Sequence, residues 1–487
     1  MKNKNKNSSG IILLNVLIFS MVAMFVLTFF IVWSTTSIKI ARSTLYTEQA
    51  FQIAESGIDY YRWHLAHNPN DFKDGTTNNG PYTHVFNDKD GNAIGSFILT
   101  ITPPVVGSTI VSIKSEGHVN SYPSIKRTIQ TRLAISSFAK FAVVSDDVMR
   151  FGEGTEIFGP IHSNYGIRFD GIAHNLITSA VSSYDDPDHT GGSELGVHTH
   201  VNVGNSSVNE SYRPQEAASV NPIPDRSDVF LVGRQFPVPQ SDFTGMTNDL
   251  SLIKTNATSG GKYLASSGKL GYHIVLKTND TYDLYKVISF SSASNSCLSN
   301  SISNGKTWSI NSSGGETFVG NYANPANGLI FVEDDVWVDG KIDTARITIA
   351  AGKFPDKSTD RKSIYINKDL LYTNYDGRDV IGLIAQQDVT VGMISNNILR
   401  IDAALMANNG RVGRHFYSSQ CSPDDIKSSI TLYGMIGSSN RYGFAYTDGS
   451  GYQDRVIIYD ANLLYGPPPS FPLTSDKYST ISWDERE

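Results

Sequence analysis

Charge is scarce in this sequence. Asp, Glu, Lys and Arg make up 18 % of its 487 residues, and the net charge is −7. No dense Lys/Arg block occurs beyond the first few positions, so the chain lacks the electrostatic footprint that binding nucleic acid requires of its soluble part. Cysteine is nearly absent. Cys297 and Cys421 are the only two, 124 residues apart, and without a CxxC pair a thiolate zinc site is not indicated. The two thiols either close one long loop as a disulfide or stand apart. No G-x-S-x-G elbow exists, which removes an α/β-type serine hydrolase, and Ser259-Gly260-Gly261-Lys262 falls short of a phosphate loop. Proline and glycine are both missing from Ile11 to Ser56, and charge is missing from the 23 residues Ile11 to Trp33.

That last stretch dominates the chain. At ~1.5 Å per residue an unbroken helix over Ile11–Trp33 is ~34 Å long, enough to cross a hydrocarbon core of ~30 Å. Asn15, Ser20 and Thr28 are compatible with it, because a helix satisfies its own backbone and small polar groups bond to the turn above or to a neighbouring helix. The run is too long for a secretory h-region and no A-x-A-like site follows it, so it stays on the mature protein. Lys2, Lys4 and Lys6 before the span against Lys39 and Arg42 after it favour a single pass through the cytoplasmic membrane, N-terminus inside. Phe51, Ala54, Ile58, Tyr61 and Leu65 then recur at steps of 3 and 4, while Gln52, Glu55, Asp59 and Arg62 fall elsewhere. One long helix is expected, its first half in lipid or a helical bundle and its second half packed under a globular domain.

Asn68-Pro69-Asn70 ends that helix. Strands are expected at Tyr82–Phe86, Gly95–Thr102, Thr109–Lys114 and Ser124–Ala134, a small antiparallel sheet that makes an α+β module with the helix. The order of parts is a basic leader ending at Gly10, the apolar run, the block Ala50-Phe51-Gln52-Ile53-Ala54-Glu55-Ser56-Gly57-Ile58 and then a four-strand meander. It resembles the type IV pilin-like proteins, specifically the PilX-type minor pilins, whose A-x-x-A-E-[AS]-G block lies on the helix shortly after the span. The resemblance covers roughly residues 1–135. It implies cleavage by a prepilin peptidase between Gly10 and Ile11, where a small residue admits the enzyme at the cytoplasmic face. It also implies packing against other pilin subunits and the pilus assembly machinery, with Asn15, Phe51, Ala54 and Ile58 as assembly residues. Major pilins carry a glutamate where this chain has Asn15. An amide can only hydrogen-bond to a neighbour's amine, so the ionic part of that pairing is absent, and a minor or tip subunit fits better than the repeating one.

Beyond the meander the texture is β-rich, with ~150 residues per domain suggesting two or three extracytoplasmic units in all. The expected divisions are a leader at 1–10, membrane helix at 11–33, amphipathic continuation at 34–67 and pilin-like sheet at 68–136. First strands of the β-region follow at 137–184, a loop-rich insertion with a small antiparallel sheet at 185–326, the main β-domain at 327–459 and a Pro-rich capping tail at 460–487. Gly328-Leu329-Ile330, Asp335-Val336-Trp337-Val338 and Arg346-Ile347-Thr348 are echoed 53 or 54 residues later by Gly382-Leu383-Ile384, Asp388-Val389-Thr390-Val391 and Leu399-Arg400-Ile401. Short β-branched strands at near-regular spacing fit rungs of a right-handed parallel β-helix, with a β-sandwich as the alternative.

Chemistry-bearing clusters are few. Asp185, Asp186, Asp188, His189, Glu194, His198 and His200 form the strongest such cluster: His198-Thr199-His200 on a strand points both rings to one face and nearby carboxylates complete a metal shell, with Asp188, His189, His198 and His200 as the candidate ligands; exposed polar loops also collect such residues. Asp334, Asp335, Asp339 and Asp343 are close in sequence, as carboxylates of a glycan-cleaving groove or as turn residues. The reading that follows is a structural subunit that needs no cofactor and is not an enzyme. It inserts by its helix and displays the β-region for adhesion, initiation or capping, possible partners being a surface glycan or another cell. The alternative is a membrane-anchored β-helix enzyme or binding protein acting on surface polysaccharide.

Overall fold

The computed structural model describes residues 9–105, 107–188, 191–203, 208, 215–243, 246–473 and 477–486. Residues 1–8 of the leader and His189 lie outside them. A long apolar N-terminal helix leads into a small antiparallel sheet and a large β-rich region. Contacts divide the described residues into two units, one from Met1–Pro103, Val111–Leu133 and Lys477–Glu487, the other from Pro104–Ile110 and Ala134–Asp476.

In the first unit, helix α1 runs from Ser9 to His67 without a break, as a stretch free of proline allows, and ends where Asn68 N donates to His64 O ahead of Pro69. Four strands, Tyr82–Asn87, Ala93–Thr102, Val111–Val119 and Tyr122–Ala134, pair antiparallel in sequence order. A fifth, Ser479–Arg486, joins beside Tyr122–Ala134. Of the tail 460–487 expected to cap the β-region, the final part Ser479–Arg486 is a strand of this sheet, with Thr131 Oγ1 donating to Ser482 O at 2.7 Å and Arg127 paired with Glu485. Alternation on Val111–Val119 sends Val111, Ile113 and Val119 inward, where they meet Ala50, Ile53, Ala54, Ile58, Tyr61 and Leu65 of α1.

The second unit is built on parallel pairing. Leu329–Val332, Arg346–Ala351, Val380–Ala385, Ile398–Ala407 and Ile426–Ser438 lie side by side in that order, all parallel. Strands Val336–Lys341, Ile364–Tyr365, Val389–Val391 and Val412–Arg414 form a second such ladder. Leu329 pairs with Thr348 and Thr348 with Gly382, so the 53-residue echo joins alternate rungs and skips one. The rung between them, Arg346–Ala351, is the third strand of the first repeat unit itself.

Chain order and spatial order differ. Ile426–Ser438 pairs through Ile426–Gly434 with the later strand Gly451–Tyr459 and through Ile436–Ser438 with the much earlier Val143–Ser145, which is followed by Ile161–Ser163, Ile177–Ser179 and Arg234–Gln235. The chain thus lays down the last rungs first, returns to the opposite end at Lys262–Leu264, and then builds towards its own earlier strands. Residues 185–326 do not stand apart as an insertion. The hairpin Gly271–Leu276 and Thr281–Val287, extended by Glu316–Ala323, is fused to the ladder through parallel pairing of Tyr272–Leu276 with Val336–Gly340. Phe138–Lys140, expected to be extended, forms one helical turn because the Ser137 hydroxyl caps it by accepting from Ala139 N.

Both faces of the first ladder are dry. Ile330, Val332, Ile347, Ile349, Ile381, Leu383 and Leu405 point into the inner core. Their neighbours Leu329, Phe331, Ala350, Val380, Ile384 and Met406 point outward and are covered by Phe138, Leu463, Phe471 and helix α2, Met246–Gly260. This explains the continuous apolar runs: a parallel sheet buried on both sides has no polar face to alternate with. Leu250, Ile253 and Ala257 of α2 recur at helical spacing, a signal masked in sequence by the surrounding Ser, Thr and Asn. Cys297 and Cys421 form a disulfide beside Met393 and Tyr417.

Candidate functional site

Two regions carry chemistry-bearing features, one in each unit. The first is α1. From Ile11 to Thr44 its side chains are exposed all round, including Phe19, Phe25, Phe29 and Trp33. It is the one helix among the described residues long and apolar enough to cross a membrane. Its internal hydroxyls are satisfied within the helix, Ser20 donating to Leu17 O and Thr28 to Met24 O at 2.9 and 2.7 Å. Gly10–Ile11 lies in the first turn, and Asn15 is exposed on the apolar surface four residues further on.

The Ala50–Gly57 block packs within its own unit, as expected of the helix's amphipathic half. Ala54 and Ile58 are buried in the first unit's own core, and Phe51 packs edge-on to Trp483 at 5.9 Å between ring centres. These residues hold helix to sheet, while Ile11–Thr44 of α1 stays exposed. Small residues are required because the sheet crosses very close. A Cβ on Gly117 would stand 2.3 Å from Ala50 O and 2.4 Å from Ala54 N, and one on Gly57 would stand 2.3 Å from Ser115 Oγ. Beyond the crossing, Tyr60 donates to Asp74 Oδ1 at 3.0 Å, and His64 and His84 contact Asp71 and Asp74 at 3.0 and 2.7 Å, which ties the loop after the helix to its last turns.

The clustered aspartates of 334–343 do not converge. Asp334 is buried, accepting from Ser267 N and Oγ, and Asp335 accepts from Ser363 N, its carboxyl pushed up to about 6 chiefly by burial. Asp343 accepts from Asn374 Nδ2 at 2.8 Å. Asp339 instead joins a group invisible in sequence, in which His273 bridges Asp339 Oδ2 at 2.9 Å and Glu316 Oε2 at 2.6 Å. Burial alone would lower the His273 pKa; the two carboxylates outweigh it and raise the imidazole to about 9. His162 and Ser163, on the strand Ile161–Ser163, and Asn164 just after it are committed to structural bonds, to Thr178, Asp147 O and Ser241 O.

The expected histidine pair is brought together. His198, on the strand Val197–His198, and His200 have ring centres 5.1 Å apart, both fully buried. The carboxylate beside them is Asp186, its Oδ2 3.6 Å from His198 Nε2, and not Asp188, which pairs with Arg441 at 3.1 Å and Arg150 at 3.2 Å. Arg168, on the strand Ile167–Phe169, and Asp170, just past its end, lie beside this cluster. Arg168 Nε donates to Asp170 Oδ2 at 2.6 Å, and Asp170 Oδ1 accepts from His200 N at 2.8 Å, fixing the backbone between the two rings.

No protein-family model and no curated protein matches the chain. Among solved structures, the competence-associated pilin ComZ from Thermus thermophilus aligns over 91 % of this chain and 97 % of its own, at 14 % identity and a TM-score of 0.29, a level of overlap that assigns no fold.

Proposed function

We propose that this chain is a minor, pilin-like structural subunit of a type IV pilus or pseudopilus, of the PilX type, anchored by a single pass with its N-terminus in the cytoplasm. The observation that carries the reading is α1 itself. One unbroken helix has an all-round apolar, exposed half ending at Gly10–Ile11 and a second half bound to a small antiparallel sheet through Ala50, Ala54 and Gly57. The apolar half has no intramolecular partner among the described residues, so a bilayer or a bundle of like helices must cover it. A prepilin peptidase cleaves after Gly10 and other pilin helices pack along Ile11–Thr44. Asn15 leaves the new amine without a carboxylate partner, as suits a subunit present in few copies. The second unit, which we read as a right-handed parallel β-helix from its parallel ladders, is the displayed part, serving adhesion, initiation or capping.

Mass spectrometry of the protein from sheared surface filaments tests this. A mature N-terminus at Ile11, abolished by Gly10→Leu, is the expected result. An intact leader together with absence from the filament fraction would overturn it.

A further inference from the structure

We propose that Asp186, His198 and His200 form a binding site for one divalent transition-metal ion of the zinc class. Their donor atoms all lie within 4.8 Å of one another, and all three residues are buried. Two imidazoles and a carboxylate suit zinc and its first-row neighbours and are foreign to calcium or magnesium, which take oxygen.

Geometry is near what an ion needs. Ligand atoms at ~2.0–2.1 Å from a tetrahedral ion stand ~3.3 Å apart. Asp186 Oδ2 and His198 Nε2 are already 3.6 Å apart. No separation exceeds 4.8 Å, so the contraction required is at most ~1.5 Å, which a modest side-chain rotation supplies.

A second observation is independent of the clustering. His198 is 0 % exposed, yet neither ring nitrogen has a hydrogen-bond partner among the described residues. A neutral imidazole carries one N–H and one lone pair, and burying both unmatched is costly. An ion between His198 and Asp186 takes up the lone pair and gives the burial a purpose.

The positive group nearby does not compete. Arg168 Nη1 is 3.9 Å from Asp186 Oδ2, but its Nε bonds Asp170 Oδ2 at 2.6 Å, and that carboxylate holds the His200 backbone. Arg168 and Asp170 are thus a scaffold that sets the spacing of the two histidines.

The site lies in the second unit and does not depend on the pilin reading. The test uses the full-length protein in detergent, stripped with chelator and titrated with Co2+ and then Zn2+. One equivalent of Co2+ should bind with the intense visible bands of a tetrahedral site, and Zn2+ should displace it. Loss of a supporting partner alone weakens metal sites ~10–100-fold, so His198→Ala and His200→Ala should each weaken binding by more than ~100-fold. Wild-type protein that shows no saturable binding, or only the pale spectrum of six-coordinate Co2+, overturns the proposal. So does wild-type affinity retained in both variants. If a variant fails to fold, the wild-type spectrum decides alone.

Discussion

Raising the pH should weaken the second unit through one histidine. His273 is bracketed by Glu316 and Asp339 at 2.6 and 2.9 Å, which hold its pKa at about 9 against the usual ~6.5. A raised folded-state pKa means the folded protein binds the proton more tightly than the unfolded chain. The resulting stability is fully present below pH ~6.5 and drains away as pH rises through 9. At ~1.4 kcal/mol per pKa unit the whole contribution is about 3 kcal/mol. Urea unfolding followed by tryptophan fluorescence reads it locally. Trp337 is the register partner of His273, and Trp337 and Trp308 are 2 and 8 % exposed, whereas Trp33, Trp63 and Trp483 are 61, 60 and 44 % exposed and change little on unfolding. The midpoint should fall between pH 6.5 and 9 in the native protein. It should be nearly flat in His273→Gln, which keeps the ring's approximate volume but cannot be charged. A native midpoint that is constant over this range, or a His273→Gln slope equal to the native one, would refute the argument.

Three further outcomes are expected. Gly117→Val places a side chain against Ala50 O and Ala54 N, backbone atoms that cannot move aside, and should cost the first unit about 3 kcal/mol or more, seen as faster amide exchange in Val111–Val119; Gly192→Ala, whose added Cβ meets nothing within 4 Å, should change nothing. Replacing both Cys297 and Cys421 by serine opens a 124-residue loop and should lower second-unit stability by roughly 2–4 kcal/mol, measured as a fall in Tm that reducing agent reproduces in the native chain. His415 is held at about 4 by burial and by Arg411 and Arg414; a depressed pKa loses stability as pH falls from ~6.5 towards 4, so acid should destabilise the native protein more than His415→Gln.

Legibility differed along the chain for physical reasons. The membrane-length run, the amphipathic continuation and the four-strand meander are local patterns of period 3.6 or 2, and each element exists as expected, although the third strand, expected at Thr109–Lys114, runs on through Gly117 to Val119. The pairing of His198 with His200 was equally local, the two being two residues apart at the end of the strand Val197–His198. Which of the neighbouring carboxylates joins them was not, because Asp186 and Asp188 are equally near in sequence and only Arg150 and Arg441, remote in the chain, draw Asp188 away. The Glu316–His273–Asp339 group joins strands that no spacing relates.

The sequence by itself determined the long helix, its change from apolar to amphipathic character, the small residues at the sheet crossing and the strand-rich character of the rest, because these depend on side-chain type and neighbours a few positions away. Tertiary structure alone decided the order of the rungs, the return of Ser479–Arg486 to the first sheet, the disulfide and the convergence of buried charged groups. Parallel pairing is specified by backbone hydrogen bonds and buried faces that many short Val- and Ile-rich strands could equally supply. Which strand meets which is therefore settled by what covers them, and the covering groups, α2 and residues 461–473, come from elsewhere in the chain.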